Sequence, residues 1–225
     1  CGLELAANAC CEQGHFVCDR CHVGDRLELI EHLCASATET DAVALLQRLR
    51  RHPEIPLHGP EHHALVPGVL LAALRNAGHP VDPEQLRSGI RRGAGISGGS
   101  CGYLGICGAA SGVGAAFSIL LEATPLKARA RQQVQQIVQR ILGEIADYEA
   151  GRCCQRDCWI ALRGAVAIAG ELWPLDLPEV APFACAQMAD NRECLGTACP
   201  LWPTRTRELV DPALLNTADE IPAHE

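Results

Sequence analysis

The sequence is short of aromatic residues and has a single methionine: Phe, Tyr and Trp together make up 4% of its 225 residues. Hydrophobic residues still reach 48%, so the core must be built from Leu, Ile, Val and Ala, a composition that suits packed helices. Long apolar runs are also missing. No stretch approaches 18 uninterrupted apolar residues and no basic-then-apolar leader opens the chain, which argues against a membrane partner. Positive charge is scarce as well. A net charge of −8 and a pI near 5.6 argue against generic nucleic-acid binding. These absences lead to the expectation of a soluble, cytoplasmic protein.

Cysteine is abundant instead, with 14 residues. In a short secreted chain that number would signal a disulfide framework, but 225 residues can fold without such staples. Several cysteines also cluster with histidine at ligand-like spacing, which points to metal or iron–sulfur ligation. Disulfides and inert buried thiols are the alternatives.

Residues 1–24 are expected to form a metal-binding knuckle. Cys11, His15, Cys18, Cys21 and His22 follow at intervals of four, three, three and one, with Cys1 and Cys10 upstream. Thiolates and imidazoles in this pattern suit tetrahedral Zn²⁺. The run resembles the central part of RING-type zinc knuckles, with a longer Cys11-to-His15 gap and no second half. It therefore implies a structural zinc site rather than a ubiquitin ligase. A redox CxxC of the thioredoxin kind would need a preceding strand, and no strand-like run is there.

From residue 25 to 175 the periodicity is helical. A first helix capped by Asp25 carries Leu27, Ile30, Leu33 and Cys34 on one face, with Cys34 read as core. A second begins near Thr40 and ends in the basic run 48–52, read as a solvated helix end stabilised by the macrodipole. The third opens on His58-Gly59-Pro60-Glu61-His62-His63, where Pro60 suits the first turn and Glu61 the positive helix end. His58, His62, His63 and Glu61 are candidates for acid–base work, with a histidine ligand as the other option. A short helix capped by Asp82 follows, and a long one spans 125–150.

Between these last two lies the segment 93–114, with nine glycines and the thiols Cys101 and Cys107. Gly95-Ile96-Ser97-Gly98-Gly99 matches the G-x-S-x-G elbow, but no strand precedes it and the sole downstream histidine is His224. A phosphate loop would need a Lys-Ser/Thr ending and a βαβ frame, and both are missing. What remains is a backbone cradle for two thiols. Cys153, Cys154 and Cys158 then open an apolar helix. Cys154 and Cys158 share its face, while Cys153 points about 100° away from Cys154. Thiols at a helix start, beside Arg152 and Arg156, have the thiolate favoured. Residues 176–225 form a tail with Cys185, Cys194 and Cys199, where the disulfide alternative is strongest.

The ordered motifs CEQGHFVCDRCH, LHGPEHHALVP, GAGISGGSCGYLGICGAASGVG, GRCCQRDCW and NRECLGTACP resemble an uncharacterised cysteine-rich prokaryotic domain. That domain occurs alone or joined to SAM-dependent methyltransferases, mostly in anaerobes. Residues 95 to 160 are also similar to the redox-active family named for its C-GCA-x-x-G pattern. Neither resemblance brings an established reaction.

The expectation is an all-α domain of six or seven helices with the tail folded onto it. It would be an iron–sulfur protein of redox or sulfur chemistry, holding a 4Fe-4S cluster. Cys101, Cys107, Cys153, Cys154 and Cys158 would bind the cluster. Cys185, Cys194 and Cys199 would complete it or hold a second. An iron without a protein ligand could bind a small substrate. The partner would be that substrate, an electron-transfer protein or a SAM-dependent methyltransferase. Two alternatives stand beside it: a zinc-stabilised helical binding or metal-delivery module, and a metal-free dithiol–disulfide oxidoreductase.

Overall fold

The computed structural model describes residues 19–180 and 182–204, with side chains from residue 26 onward. The described chain is all-α, as expected. It comprises α1 (Asp19–Ser36), α2 (Ala42–Arg50), α3 (Glu61–Asn76), α4 (Pro83–Ala94), α5 (Ser100–Tyr103), α6 (Gly108–Leu120), α7 (Ala128–Ala146) and α8 (Cys154–Leu172). A 3₁₀ turn, Gly196–Ala198, follows in the tail. Eight helices replace the expected six or seven, and one of them is the four-residue α5 inside the glycine-rich segment. None of the described helices is long and apolar enough to cross a membrane.

Local chemistry explains the boundaries. Asp41 accepts the N–H groups of Val43 and Ala44 to start α2. Asp82 and Gln85 form a reciprocal capping box at α4, with Pro83 in its first turn. α1 begins at Asp19, so Asp25 lies within it and is not its cap. α7 begins at Ala128, three residues after Pro125, because Lys127 takes the capping position.

α3 is the axis of the molecule. It packs against α1, α2, α4, α6 and α8, and α7 closes the far side against α6 and α8. Pro67 lies within α3 and has no N–H to give the carbonyl of His63 one turn earlier. Gly93 of α4 and Gly112 of α6 both press against this point. A Cβ at Gly93 would collide with the His63 carbonyl, and one at Gly112 would lie 2.9 Å from Pro67 Cδ. Four of the nine glycines of the segment 93–114, Gly93, Gly108, Gly112 and Gly114, thus permit close helix contact. Only Gly99 (φ 78°) and Gly105 (φ 65°) use the left-handed region there.

Cys34 is fully buried on the core face of α1, as expected, and burial pushes its thiol up to about 12. The tail after α8 folds back. Trp173 stacks on Phe117 at 5.9 Å between ring centroids, and the Cys185 N–H donates to the Leu201 carbonyl at 2.9 Å.

Candidate functional site

The N-terminus of α8 gathers most of the described cysteines. Cys153 is its N-cap residue and Cys154 its first helical residue, so adjacent side chains leave in different directions. Towards the core, Cys154 and Cys158 lie one helical turn apart and face the start of α6, where Cys107 is the N-cap residue. Cys107 Sγ accepts the N–H groups of Ala109 and Ala110, and Cys154 Sγ accepts that of Gly59. Burial nevertheless dominates. It pushes Cys107 and Cys154 up to about 11 and Cys158 further, opposed by the Arg50 charge at the two α8 thiols. Cys101 lies on α5, exposed, within electrostatic reach of Cys107.

On the outer side, Cys153 meets the tail. Cys153, Cys185, Cys194 and Cys199 all line a narrow cavity of about 20 Å³ together with His58, Arg156 and Asn191. That volume holds roughly one water-sized group. Hydrogen bonds reach the sulfurs here too. The Arg156 N–H donates to Cys153, the Leu201 N–H to Cys199, Gln155 Nε2 to Cys185 at 3.0 Å, and the Gly196 N–H to Cys194 at 3.4 Å. Burial raises Cys153 and Cys199. All nine described cysteines are thiols, with no disulfide among them.

The histidines divide among three neighbourhoods. His58 donates through Nε2 to Asn191 Oδ1 at 3.0 Å, and its Nδ1 faces the Cys154 N–H at 3.5 Å, so it joins α8 to the tail. His62 is 1% exposed and donates through Nδ1 to the Gly59 carbonyl at 3.1 Å. Burial, helped by the Arg50 charge, drives its imidazole well below the usual range. His63 alone faces the glycine-rich segment. Its Nδ1 donates to the Ile96 carbonyl at 2.9 Å, and its ring occupies the space a Cβ at Gly108 would need. Glu61 is fully buried and bound by Arg26 at 2.6 Å.

The expected zinc ligands Cys1, Cys10, Cys11, His15 and Cys18 lie outside the described residues. So do the side chains of Cys21 and His22, whose backbone belongs to α1. Among the described residues no three His, Cys, Asp or Glu side chains stand in a ready-made ligand shell.

Arg50 was not anticipated. The basic run 48–52 was expected to be solvated, yet Arg50 is 6% exposed and bonds the Leu57 carbonyl and Gln187 Oε1. Among the described residues its Nε and Nη1 find no hydrogen-bond partner. The signal was present in the stripe Val43, Leu46, Arg50, which follows the i, i+3, i+7 spacing of a core face. Asn191 and Gln155 were also missed, because isolated amides carry no spacing signal.

The sequence model of a family described as a family of unknown function, DUF5714, matches residues 30–202. The chain belongs to that family. DUF5714 spans every described helix except the start of α1, and both thiol sets. No curated protein and no solved structure matches the chain.

Proposed function

We propose that this chain is a thiolate-ligated metal protein of redox or sulfur chemistry, with iron–sulfur as the metal group and a separate zinc site in residues 1–24. One observation carries the reading. Apart from Cys34, all the described cysteines fall into two sets around the α8 N-terminus: Cys107, Cys154 and Cys158 towards the core with the exposed Cys101 near Cys107, and Cys153, Cys185, Cys194 and Cys199 along one cavity with the tail.

The donor set fits a soft metal. Thiolates select zinc, copper(I) and iron–sulfur groups. Thiols this deeply buried stay protonated on their own, and a cation offsets the desolvation that keeps them so. The N–H groups directed at Cys107, Cys153, Cys154, Cys194 and Cys199 are the hydrogen bonds that tune a cluster's potential, which supports iron. When bound, an iron–sulfur group supplies one-electron transfer. The chain's own residues hold the sulfurs, exclude water from the inner side and set the charge around it.

Metal-free dithiol exchange is disfavoured by the same acidities. A thiol at about 11, such as Cys107 or Cys154, is ionised in about one molecule in ten thousand at pH 7, and the thiolate is the attacking species. The partner of such a centre would be a small molecule or an electron-transfer protein. The likeness of the motifs to domains joined to SAM-dependent methyltransferases supports one of those, and the C-GCA-x-x-G likeness supports redox work. A cytoplasmic setting, where thiols stay reduced, is consistent with this reading.

Purification without oxygen tests the proposal. The expected product is brown and yields iron and acid-labile sulfide. A colourless protein holding only zinc would overturn the iron reading. A metal-free protein whose thiol count rises on reduction would overturn metal binding altogether.

A further inference from the structure

Tyr103 and Leu104 are each 66% exposed and Ile106 is 45% exposed, although all three are large and apolar. They share the turn between α5 and α6, which the Ile106 N–H closes on the Ser100 carbonyl at 3.1 Å. Exposed apolar side chains gathered on one loop mark a surface that something covers. No charged residue occurs between Arg92 and Glu122. The loop therefore offers nothing to a lipid headgroup or a nucleic acid, which Lys and Arg would hold. Its occupant has to be apolar as well.

The chain's own beginning leads to this place. α1 runs parallel to α3: Arg26 Nη1 bonds Glu61 Oε1 at 2.6 Å where α3 starts, and Arg75 Nη2 near its end donates to the Ala37 carbonyl at 2.9 Å. α1 starts seven residues before Arg26, so it runs about 10 Å past that first contact. The loop lies at the same end. His63, two residues after Glu61, donates through Nδ1 to the Ile96 carbonyl at 2.9 Å, and its ring fills the space a Cβ at Gly108 would need. Gly108 opens α6 two residues after Ile106. α4, packed against both α1 and α6, leads directly into the loop.

We propose that residues 1–18 of the same chain close over Tyr103, Leu104 and Ile106. Their composition fits an uncharged apolar patch. They include Leu3, Leu5, Phe16 and Val17, have no Lys or Arg, and carry only Glu4 and Glu12 as acidic residues. Reach is not limiting, because an extended chain covers about 3.3–3.6 Å per residue. A second copy of the chain would have to compete with a tethered segment, whose effective concentration is far higher. Closure has a chemical consequence. Among the described residues Cys101 alone is an exposed thiol, and it stands beside this loop on α5, so the segment would take it out of solvent.

Photo-crosslinking on the full chain tests the proposal, with p-benzoylphenylalanine in place of Leu104 and light and ¹⁵N-labelled chains mixed. The expected product joins the loop to a residue within 1–18 of the same chain. A link between a light and a labelled chain would put a second copy on the patch and overturn the proposal. Links confined to other segments, or none at all, would overturn it as well. A second arm uses Leu104→Asp combined with Ile106→Asp. Chymotrypsin should then cut at Phe16 several-fold faster than in the wild type, with far-ultraviolet circular dichroism unchanged. An unchanged cutting rate would count against the closure whether or not the chain binds metal, so its failure is distinct from that of the metal-protein reading.

Discussion

Arg50 donates to Gln187 Oε1 at 2.7 Å, so a helix end near the start of the fold grips the tail 137 residues later. Among the described residues the buried guanidinium makes one other hydrogen bond, to the Leu57 carbonyl at 3.3 Å. Arg50→Met therefore has two expected outcomes of opposite sense. Replacing a buried, incompletely paired charge by an apolar chain leaves the metal-free protein within about 1 kcal/mol of wild type, or more stable. If Cys154 and Cys158 bind metal, removing the positive charge that acts on both should weaken cadmium uptake by about 10–100-fold. Urea unfolding and metal titration read the two separately. A variant that is strongly destabilised yet binds metal normally would show that Arg50 serves the fold alone.

Gln187→Ala should cost about 1–3 kcal/mol, more than an ordinary tail residue, because it bares a further guanidinium N–H. The tail should also be cut sooner by a protease. Equal cleavage rates in the two proteins would show that the contact holds nothing in place.

The glycine contacts on α3 make a paired prediction. Gly93→Ala meets the His63 carbonyl and Gly108→Ala meets the His63 ring, so each should lose about 1–3 kcal/mol in urea unfolding. Gly102→Ala enters open space and should stay within about 0.5 kcal/mol of wild type. If all three behave alike, the glycines are not there for helix contact.

Alkaline pH should unfold the metal-free protein. Unfolded thiols ionise near 9.0, whereas Cys107 and Cys154 in the fold hold their protons to about 11 and Cys34 to about 12. Above pH 9 the unfolded chain thus binds fewer protons than the native one, and stability falls as pH rises. The loss should run from pH 9 to about 11 and reach roughly 3 kcal/mol per thiol over two pH units. Urea midpoints between pH 8 and 11 measure it. Cys34→Ala should shrink the slope without touching either thiol set, and an unchanged slope would argue against the burial effect there.

Chelation should loosen the tail before the helices. The outer set is held by few backbone bonds, so metal removal should raise proteolytic cutting within 182–204 while far-ultraviolet circular dichroism barely changes. Simultaneous loss of both signals would mean that the tail and the helical domain stand or fall together.

The helices were legible in the sequence because Leu, Ile and Val recur at the helical period and because Asp82 and Pro83 announce the start of α4. The helical step of about 100° expected between Cys153 and Cys154 does not apply, because Cys153 is an N-cap residue with extended backbone and the helix starts at Cys154. The glycine-rich segment was misleading. Its glycines suggested a backbone cradle for a ligand, whereas Gly93, Gly108 and Gly112 exist for His63 and Pro67, residues some 30 to 50 positions away. Such long-range contacts leave no local trace. The role of Arg50 was hidden likewise. A basic helix end is normally solvated, and only its place on the apolar stripe spoke otherwise.

The adjacency of Cys153 and Cys154 has a consequence for electron flow. Consecutive Cα atoms lie about 3.8 Å apart, so metal groups on the two sides of α8 would be wired through a single peptide. An electron delivered at the outer, tail-covered side would have a covalent route inward to the more deeply buried Cys107 and Cys158. One residue inserted between these two cysteines would lengthen that covalent path from one peptide to two, with every other thiol still present.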